Sequence, residues 1–411
     1  MLRRMGRPLF SPGDFIQRQF LTKNKHPLGP GGCIMRRFWV KAFRNNGALG
    51  VGEEIMERKR LSWLWLMAVL LALAFPACAG SEDESAADGD AEQEASEDGD
   101  ADAEDETEAP GEPFRFVIFS DTHVRLPGNP DDADYDNQLN LDNLDGAIAR
   151  VNAEFADAAF VAVTGDMVGA LFSENPDDYG TDEPNPAETF KAMMDGLSVP
   201  YHAIMGNHDY QKSYDPELGE GVATDDIDAV EAVWKKVLGI DPYYSTVYEG
   251  VRFVFLNANR GEARTVVCAG ETEEAFCTGS FDEEQMGWFE SELAQGEPVV
   301  VFLHHPPVTD SKNSMFAVFD SFLIEPEDSF YDIAETHKDR ILGIFVGHGH
   351  IWERDAMFET IPVYETGSIG DLGGHPDNIH IVDVDPATPS ITVTIGREEA
   401  EYFSDQYGAA E

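Results

Sequence analysis

Five short groups of polar residues in this sequence contain side chains that bind transition metals, and each group follows an apolar run. The groups are Asp121-Thr122-His123, Gly165-Asp166, Gly206-Asn207-His208-Asp209, His304-His305 and Gly347-His348-Gly349-His350. Histidine and carboxylate ligands bind divalent transition metals, and one aspartate shared by two ions can hold them about 3.5–4 Å apart around a phosphoryl group. Together the groups predict a dinuclear metal site suited to phosphoester chemistry.

The apolar runs that precede these groups predict strands of an α/β sheet. They span residues 114–119, 158–163, 201–205, 299–303 and 341–346. Between and beside them, helical patterns cover residues 141–155, 186–197, 227–238, 281–294 and 331–338. The carboxyl ends of the strands are where such sheets bind ligands, so the polar groups should meet at one edge. Glycine at 206 would permit a sharp turn there, which a residue with a Cβ would resist.

The order of the five groups resembles the calcineurin-like metallophosphoesterase superfamily over about residues 114–370. This resemblance implies a four-layer α/β/β/α sandwich, in which two mixed β-sheets are flanked by helices. It also implies two divalent or trivalent metal ions, with manganese, iron and zinc as the candidates. One ion would be held by Asp121, His123, Asp166 and His350, and the second by Asp166, Asn207, His304 and His348.

The resemblance also implies that His304, and not its neighbour, is the ligand, because the single ligand histidine of the superfamily directly follows the strand and stands two residues before a proline, as His304 does before Pro306. Two roles remain open for His305, which would either line the pocket or support the site. By the same resemblance, a hydroxide that bridges the ions attacks phosphorus, and His208, oriented by Asp209, protonates the leaving oxygen.

Two features of the sequence indicate which subfamily the chain resembles: one excludes a subfamily and the other favours a branch. His123 and Gly169 stand where purple acid phosphatases carry a different first-motif residue and a tyrosine, so the protein should not be purple. The sequence His-His-Pro-Pro at 304–307 is most similar to the branch that includes the class III cyclic nucleotide phosphodiesterases. The expected substrate is a small-molecule or peptide-linked phosphoester.

Two other functions remain open at this point: a surface binding module that keeps the fold without catalysis, and a nuclease. Because none of the seven ligands implied by the resemblance is missing, the enzyme is favoured over the binding module. The formal net charge is −50, and the folded part of the chain is itself strongly acidic and has no cluster of lysine and arginine to form a basic groove, which argues against nucleic acid as a partner.

The sequence of the N-terminal part of the chain predicts that the protein is located at the bacterial cell envelope. A charged segment at residues 57–60 and an apolar run from Leu61 to Phe75 precede Cys78, and this pattern resembles a lipoprotein signal whose cysteine is lipidated. Residues 56–78 are then the signal peptide, and residues 1–55 are expected to be a non-native extension upstream of a true start at Met56. An uncleaved signal anchor and ordinary secretion are the alternatives.

Residues 79–112 contain no lysine, arginine or aromatic residue and are rich in aspartate and glutamate, which predicts a disordered acidic tether. The tether would hold a metallophosphoesterase domain at residues 113–400 away from a membrane, on its periplasmic or outer side. Cys268 and Cys277 bracket a short polar loop in this domain. They would form a disulfide in an oxidising compartment, and otherwise remain two thiols.

Overall fold

The computed structural model describes residues 111–126, 137–215, 220–223, 226–261, 278–311, 323–371 and 373–407, and of residues 212–215 and 220–223 it describes the backbone alone. Residues 1–110, which include the predicted extension, the signal peptide with Cys78 and nearly all of the tether, lie outside the described residues. Cys268 and Cys277 lie outside them as well. Within the described ranges, no helix combines the length and the apolar character needed to cross a membrane.

The first sheet has the strand order β13-β12-β1-β2-β3. Its strands are β1 (Phe114–Phe119), β2 (Val161–Val163), β3 (Tyr201–Ala203), β12 (His380–Asp385) and β13 (Ser390–Ile395). The strands β1, β2 and β3 run parallel, whereas β12 and β13 pair antiparallel. Three helices accompany this sheet, namely α1 (Asn137–Glu154), α2 (Pro186–Met194) and α3 (Ile227–Leu238).

The second sheet has the strand order β14-β10-β11-β9-β8-β7-β6. Its strands are β6 (Tyr244–Tyr248), β7 (Val251–Phe255), β8 (Val299–Phe302), β9 (Ile341–Val346), β10 (Glu353–Met357), β11 (Ile361–Glu365) and β14 (Ser404–Asp405). Its centre, from β7 through β8 and β9 to β11, is parallel, and β6 and β10 pair antiparallel with their neighbours β7 and β11. The helices α4 (Glu283–Leu293) and α5 (Phe330–Thr336) accompany it, and a separate hairpin joins β4 (Gln211–Asp215) to β5 (Glu220–Ala223).

Three apolar clusters divide the fold into four layers. In β1, side chains alternate between the two faces of the sheet, so that Val117 packs in a cluster with α1, α2 and α3, while Phe116 points the other way. Phe116 meets Phe302 and Phe345 of the second sheet in the cluster between the sheets. The third cluster lies between the second sheet and the helices α4 and α5. The predicted α/β/β/α sandwich is therefore confirmed.

The differences from the predicted elements lie mostly at their ends. The helix expected to begin at Leu141 begins at Asn137, and β3 ends at Ala203 rather than Met205. From Ile361 onward the sequence alternates in the way that is typical of antiparallel strands, and antiparallel pairs do form there, but β11 also pairs in parallel with β9 and so becomes part of the second sheet. The strands of the hairpin from 211 to 223 and strand β10 had no counterpart in the prediction.

Candidate metal centre

The ends of five parallel strands, three in the first sheet and two in the second, deliver the predicted ligands to one place. Asp121 and His123 follow β1, Asp166 follows β2, and Asn207 follows β3. His304 follows β8, and His348 and His350 follow β9. All seven side chains are buried or nearly so, with His350 the most exposed at 12%. The expectation that the strand ends converge is confirmed.

The backbone at these ligands is unusual because five of them have positive φ angles. The values are 51° at Asp121, 43° at His123, 49° at Asp166, 78° at His348 and 59° at His350. In the described part of the chain only eight residues other than glycine have a positive φ, so most of this strain is at the strand ends. Left-handed conformations at residues with a Cβ cost on the order of 1–3 kcal/mol each and cluster at functional sites.

One group of donor atoms comes from Asp121, His123, Asp166 and His350, whose ligand atoms all lie within 4.8 Å of one another. Nε2 of His350 lies 3.0 Å from Nε2 of His123 and 3.2 Å from Oδ1 of Asp121. Nε2 of His123 is 3.6 Å from Oδ2 of Asp166. Two imidazole nitrogens and two carboxylates that converge in this way match the ligand preferences of a transition-metal ion.

A second group comes from Asp166, His304 and His348, and Asn207 adds an amide oxygen. Nε2 of His304 lies 3.3 Å from Oδ2 of Asp166 and 3.1 Å from Oδ1 of Asn207. The other ring nitrogen of His304, Nδ1, donates to the carbonyl oxygen of Thr164 at 2.8 Å, which turns Nε2 toward the cluster. Asp166 belongs to both groups, so the donors present fit two ions that share one carboxylate.

The electrostatics of the cluster favour cations. Burial alone would raise the pKa of Asp166, but the neighbouring His304 and His208 hold it well below its ordinary value. Burial opposes the charged form of His304, yet Asp166 raises the pKa of His304 to about 9. At neutral pH the metal-free centre therefore keeps an ionised Asp166 beside a protonated His304, and a metal ion at His304 would displace that proton.

His208 lies at the edge of the first group. Its ring packs edge-on against the ring of His123, with 4.7 Å between the centroids, and its main-chain N–H donates to Oδ1 of Asp166 at 2.9 Å. Nδ1 of His208 lies 3.0 Å from the carbonyl oxygen of Gly169. Because a carbonyl oxygen can only accept, Nδ1 carries a hydrogen and Nε2 is the atom available for proton exchange.

Asp209 has a different role from the one predicted, because its carboxylate is bonded to main-chain groups and Gly169 holds the ring of His208. The carboxylate accepts from the N–H groups of Gly206 at 2.8 Å, Val168 at 3.0 Å and Met167 at 3.2 Å. Burial and the charge of Asp166 raise the pKa of Asp209 to about 8, against the effect of these donors. Asp209 thus joins the loop after β2 to the loop after β3, and the prediction that it orients His208 directly is wrong.

Gly206 is needed for close approach and not for a special backbone conformation. It is absent from the glycines of the described chain that have positive φ. A Cβ at this position would lie 2.2 Å from Oδ1 of Asp166 and 2.7 Å from Nε2 of His304. The turn after β3 can pass between two predicted ligands only because residue 206 has no side chain.

Some residues around the centre were missed or left open by the sequence analysis. His305 is fully buried, its ring lies 4.7 Å from the ring of His348 and 5.2 Å from that of His304, and burial lowers its pKa to about 3. Of its two open roles, this buried position favours support of the site over lining of the pocket. Asp371 and Asn140 contact the His123 loop from behind. Both residues lie outside the five motifs in the sequence, so only their proximity to His123 in the folded structure shows that they support the site.

A profile of the calcineurin-like phosphoesterase family matches residues 114–352, more than half of the chain. A curated relative, described as a probable cyclic nucleotide phosphodiesterase of Rhodopseudomonas palustris, is 28% identical over 242 residues, which are 57% of this chain and 71% of the relative.

Two solved structures are similar to the chain as well. A dimetal phosphatase from Danio rerio matches with a TM-score of 0.46 and 15% identity, over 70% of this chain and all of that one. A calcineurin-like phosphoesterase from Bacillus subtilis matches with a TM-score of 0.39 and 14% identity, over 70% of this chain and 89% of that one. With its motifs, its paired donor groups and the family match in agreement, the chain belongs to the calcineurin-like phosphoesterase family and is a metal-dependent phosphoesterase.

Proposed function

We propose that this protein hydrolyses small-molecule phosphoesters with two metal ions held by the two donor groups. The observation that carries the proposal is the sharing of Asp166 between the groups. One ion is assigned to Asp121, His123, Asp166 and His350, and the other to Asp166, Asn207, His304 and His348. Manganese, iron and zinc all suit this mixture of imidazole, carboxylate and amide ligands.

When bound, two such cations neutralise charge on the phosphoryl oxygens and lower the pKa of the attacking water. The side chains of the protein position and provide the proton donor. Asp209 keeps the loops after β2 and β3 together, which fixes His208 relative to Asp166. Nδ1–H of His208 donates to the Gly169 carbonyl. A protonated His208 therefore keeps that hydrogen and gives the proton on Nε2 to the leaving oxygen.

The substitution His208→Ala tests this mechanism, because it removes a proton donor and leaves all seven proposed ligands in place. The variant should keep two metal ions and lose about 10²–10⁴-fold in turnover, the usual contribution of general acid catalysis. The loss should be large for alkyl phosphoesters and small for nitrophenyl phosphoesters, whose leaving group needs no proton. A variant that loses metal, or that is equally impaired on both kinds of substrate, would contradict the general-acid role.

His337→Ala provides the matched control. His337 follows α5 and precedes β9, so it lies at the opposite end of β9 from His348 and His350. Removing its ring should leave both metal content and the dependence on the leaving group unchanged.

For the substrate, we favour phosphodiesters and among them cyclic nucleotides. Support comes from the similarity to the probable cyclic nucleotide phosphodiesterase and from the His-His-Pro-Pro sequence at 304–307. Rates on cyclic nucleotides, linear diesters and monoesters, each with manganese, iron or zinc, test the proposal. Metal binding without turnover on any of them would favour the alternative of a binding module, and preference for a polynucleotide would favour a nuclease.

The proposed location is the bacterial cell envelope, with the protein anchored by a lipid on Cys78. The charged segment, the apolar run and the small residue before this cysteine support the proposal. Metabolic labelling with an alkyne fatty acid should mark the wild-type protein and not a Cys78→Ala variant. Labelling of both would remove Cys78 as the site, and labelling of neither would favour secretion or an uncleaved anchor.

A further inference from the structure

A buried carboxylate stands behind His123, on the side of the ring that faces away from the metal centre. Nε2 of His123 points into the first donor group, 3.6 Å from Asp166 and 3.0 Å from His350. On the opposite side of the ring, Nδ1 has no hydrogen-bond partner and lies 3.8 Å from Oδ2 of Asp371. The side chain of Asp371 is only 6% exposed.

Asp371 is held in this position by two side chains from other parts of the chain. Nδ2 of Asn140, on α1, donates to Oδ1 of Asp371 at 2.7 Å and also to the main-chain oxygen of His123 at 3.0 Å. The guanidinium of Arg125 donates to Oδ2 of Asp371. The same Asn140 therefore fixes both the carboxylate and the backbone of the histidine that faces it.

The loop that carries Asp371 is bound along the whole of the first motif. The N–H groups of Ile369 and Gly370 donate to the carbonyl oxygens of Ser120 and Asp121 at 3.0 and 2.9 Å. A Cβ at Gly370 would lie 2.3 Å from the carbonyl oxygen of Thr122, so the two loops are in direct contact. The carboxylate is built into the site and is not a surface group that happens to lie nearby.

From this geometry we propose that Asp371 is a positioning residue that accepts the Nδ1 hydrogen of His123 and so directs Nε2 of that ring at its metal ion. Histidines that bind metals usually donate their other ring N–H to a carboxylate, a main-chain carbonyl or water, which fixes the tautomer and the orientation of the ring. His304 has such a partner in the carbonyl of Thr164. On metal binding, Asp371 would supply the equivalent partner, with a negative charge, to His123 as the 3.8 Å between Nδ1 and Oδ2 shortens to hydrogen-bond distance.

The assignment gives Arg125 a role as well. The guanidinium of Arg125 lies where a side chain at Gly169 would be, since a Cβ there would come within 2.1 Å of Nε of Arg125. Gly169 is also the residue whose carbonyl holds His208. Arg125 thus packs against the supports of both His123 and His208, and a residue larger than glycine at 169 would disturb both.

The role of Asp371 rests on the proposed two-metal function, and zinc binding tests the two separately. In calorimetric titrations with Zn²⁺, Asp371→Ala should bind one of its two ions about 10- to 100-fold more weakly than wild type, the usual effect of removing such a partner. Asp371→Asn, which keeps an acceptor and loses the charge, should fall between the two. The matched control is Asp377→Asn, from the same loop, because Asp377 is paired with Arg150 and has a half-exposed side chain.

A second readout follows the histidine itself. In zinc-loaded protein labelled with ¹⁵N-histidine, slow exchange of one imidazole N–H with water should be present in the wild type and in Asp377→Asn, and lost in Asp371→Ala. Loss of packing alone would lower the unfolding midpoint without selecting one imidazole signal. Unchanged zinc affinities and unchanged imidazole signals in Asp371→Ala would overturn the role of Asp371, whereas wild-type protein that binds no metal would overturn the proposed function with it.

If Asp371→Ala does not fold, the wild-type spectrum and Asp371→Asn still decide the matter. In the zinc-loaded wild type, the Nδ1–H signal assigned to His123 must exchange slowly, as that of His304 does through its bond to the Thr164 carbonyl. A wild-type spectrum in which the His123 signal exchanges as fast as that of an exposed imidazole would contradict the proposal.

Discussion

Replacing Gly206 by alanine adds one methyl group at the point where loops of both sheets meet. The new Cβ would lie 2.2 Å from Oδ1 of Asp166 and 2.7 Å from Nε2 of His304. Non-bonded heavy atoms are in favourable contact at separations of about 3.5 Å or more, so the side chains of Asp166 and His304 must move by roughly 1 Å. A misplacement of that size costs on the order of 10²-fold in rate, and overpacking costs about 1–3 kcal/mol of stability.

We therefore expect Gly206→Ala to lower kcat/KM about 10²-fold or more and to bind fewer than two ions. The reason is that Asp166 belongs to both donor groups and His304 to one of them. Hydrolysis of a nitrophenyl phosphoester, metal content by mass spectrometry and urea unfolding of the metal-free protein measure the three effects.

Gly287→Ala is the control for this substitution. Gly287 lies in α4, where an added Cβ meets nothing within 4 Å. Alanine there should raise stability by about 0.5–1 kcal/mol through its higher helix propensity and leave activity unchanged. If Gly206→Ala keeps two ions and near-normal turnover, the loop can yield without moving the ligands, and the steric reasoning fails.

Three further predictions concern the centre and its surroundings. Asp166→Asn should cost more activity and more metal than any other single ligand change, and a variant with two ions and near-normal turnover would refute the shared role. Burial, then Glu353 and Asp121, hold the pKa of Glu365 well above its ordinary 4.5, so this carboxyl keeps its proton to a higher pH in the folded state than in the unfolded state. The contribution of this carboxyl to stability is fully present below pH 4.5 and is lost as the pH rises toward the folded-state pKa. In urea titrations, the free energy of unfolding of Glu365→Gln should therefore increase relative to that of the wild type from pH 4.5 upward. A difference between the two proteins that does not depend on pH would contradict this. Trp234→Phe should destabilise by about 2 kcal/mol, because it leaves a gap in the core and removes the bond from Nε1 to the Asp209 carbonyl at 3.0 Å; an unchanged urea midpoint would exclude that bond as a support.

The sequence predicted the bounds of a helix correctly where residues at its own ends determine them. The bounds of α3 agree with the prediction because its ends carry their own signals: the side chain of Asp226 caps the N-terminus and Gly239 ends the helix with a φ of 75°. The first turn of α1 was missed because it buries Asn137 and Asn140, which break the apolar pattern to bond with the loop after β1. No periodicity of apolar residues can reveal a turn that is buried by polar contacts.

The same distinction holds at the site. The motifs follow strands and were visible in the sequence, since a strand end is a local feature. What supports the motifs depends on contacts between distant segments: Asp371 lies 248 positions after His123, and the close approach of Gly206 to His304 joins the two sheets. Only the assembled fold could separate the role of Asp209, which binds main-chain groups, from that of Gly169, which holds His208.

The strained backbone at the ligands also explains why the centre is built between two sheets. Five left-handed residues at about 1–3 kcal/mol each need a scaffold that does not relax around them. Directly beneath lies the cluster between the sheets, where the fully buried rings of Phe116, Phe302 and Phe345 contact one another. Burial of each such ring stabilises by about 1.5–3 kcal/mol, and close packing resists small displacements. Since that packing does not involve the metal ions, it supports the strand ends that carry the ligands independently of metal binding.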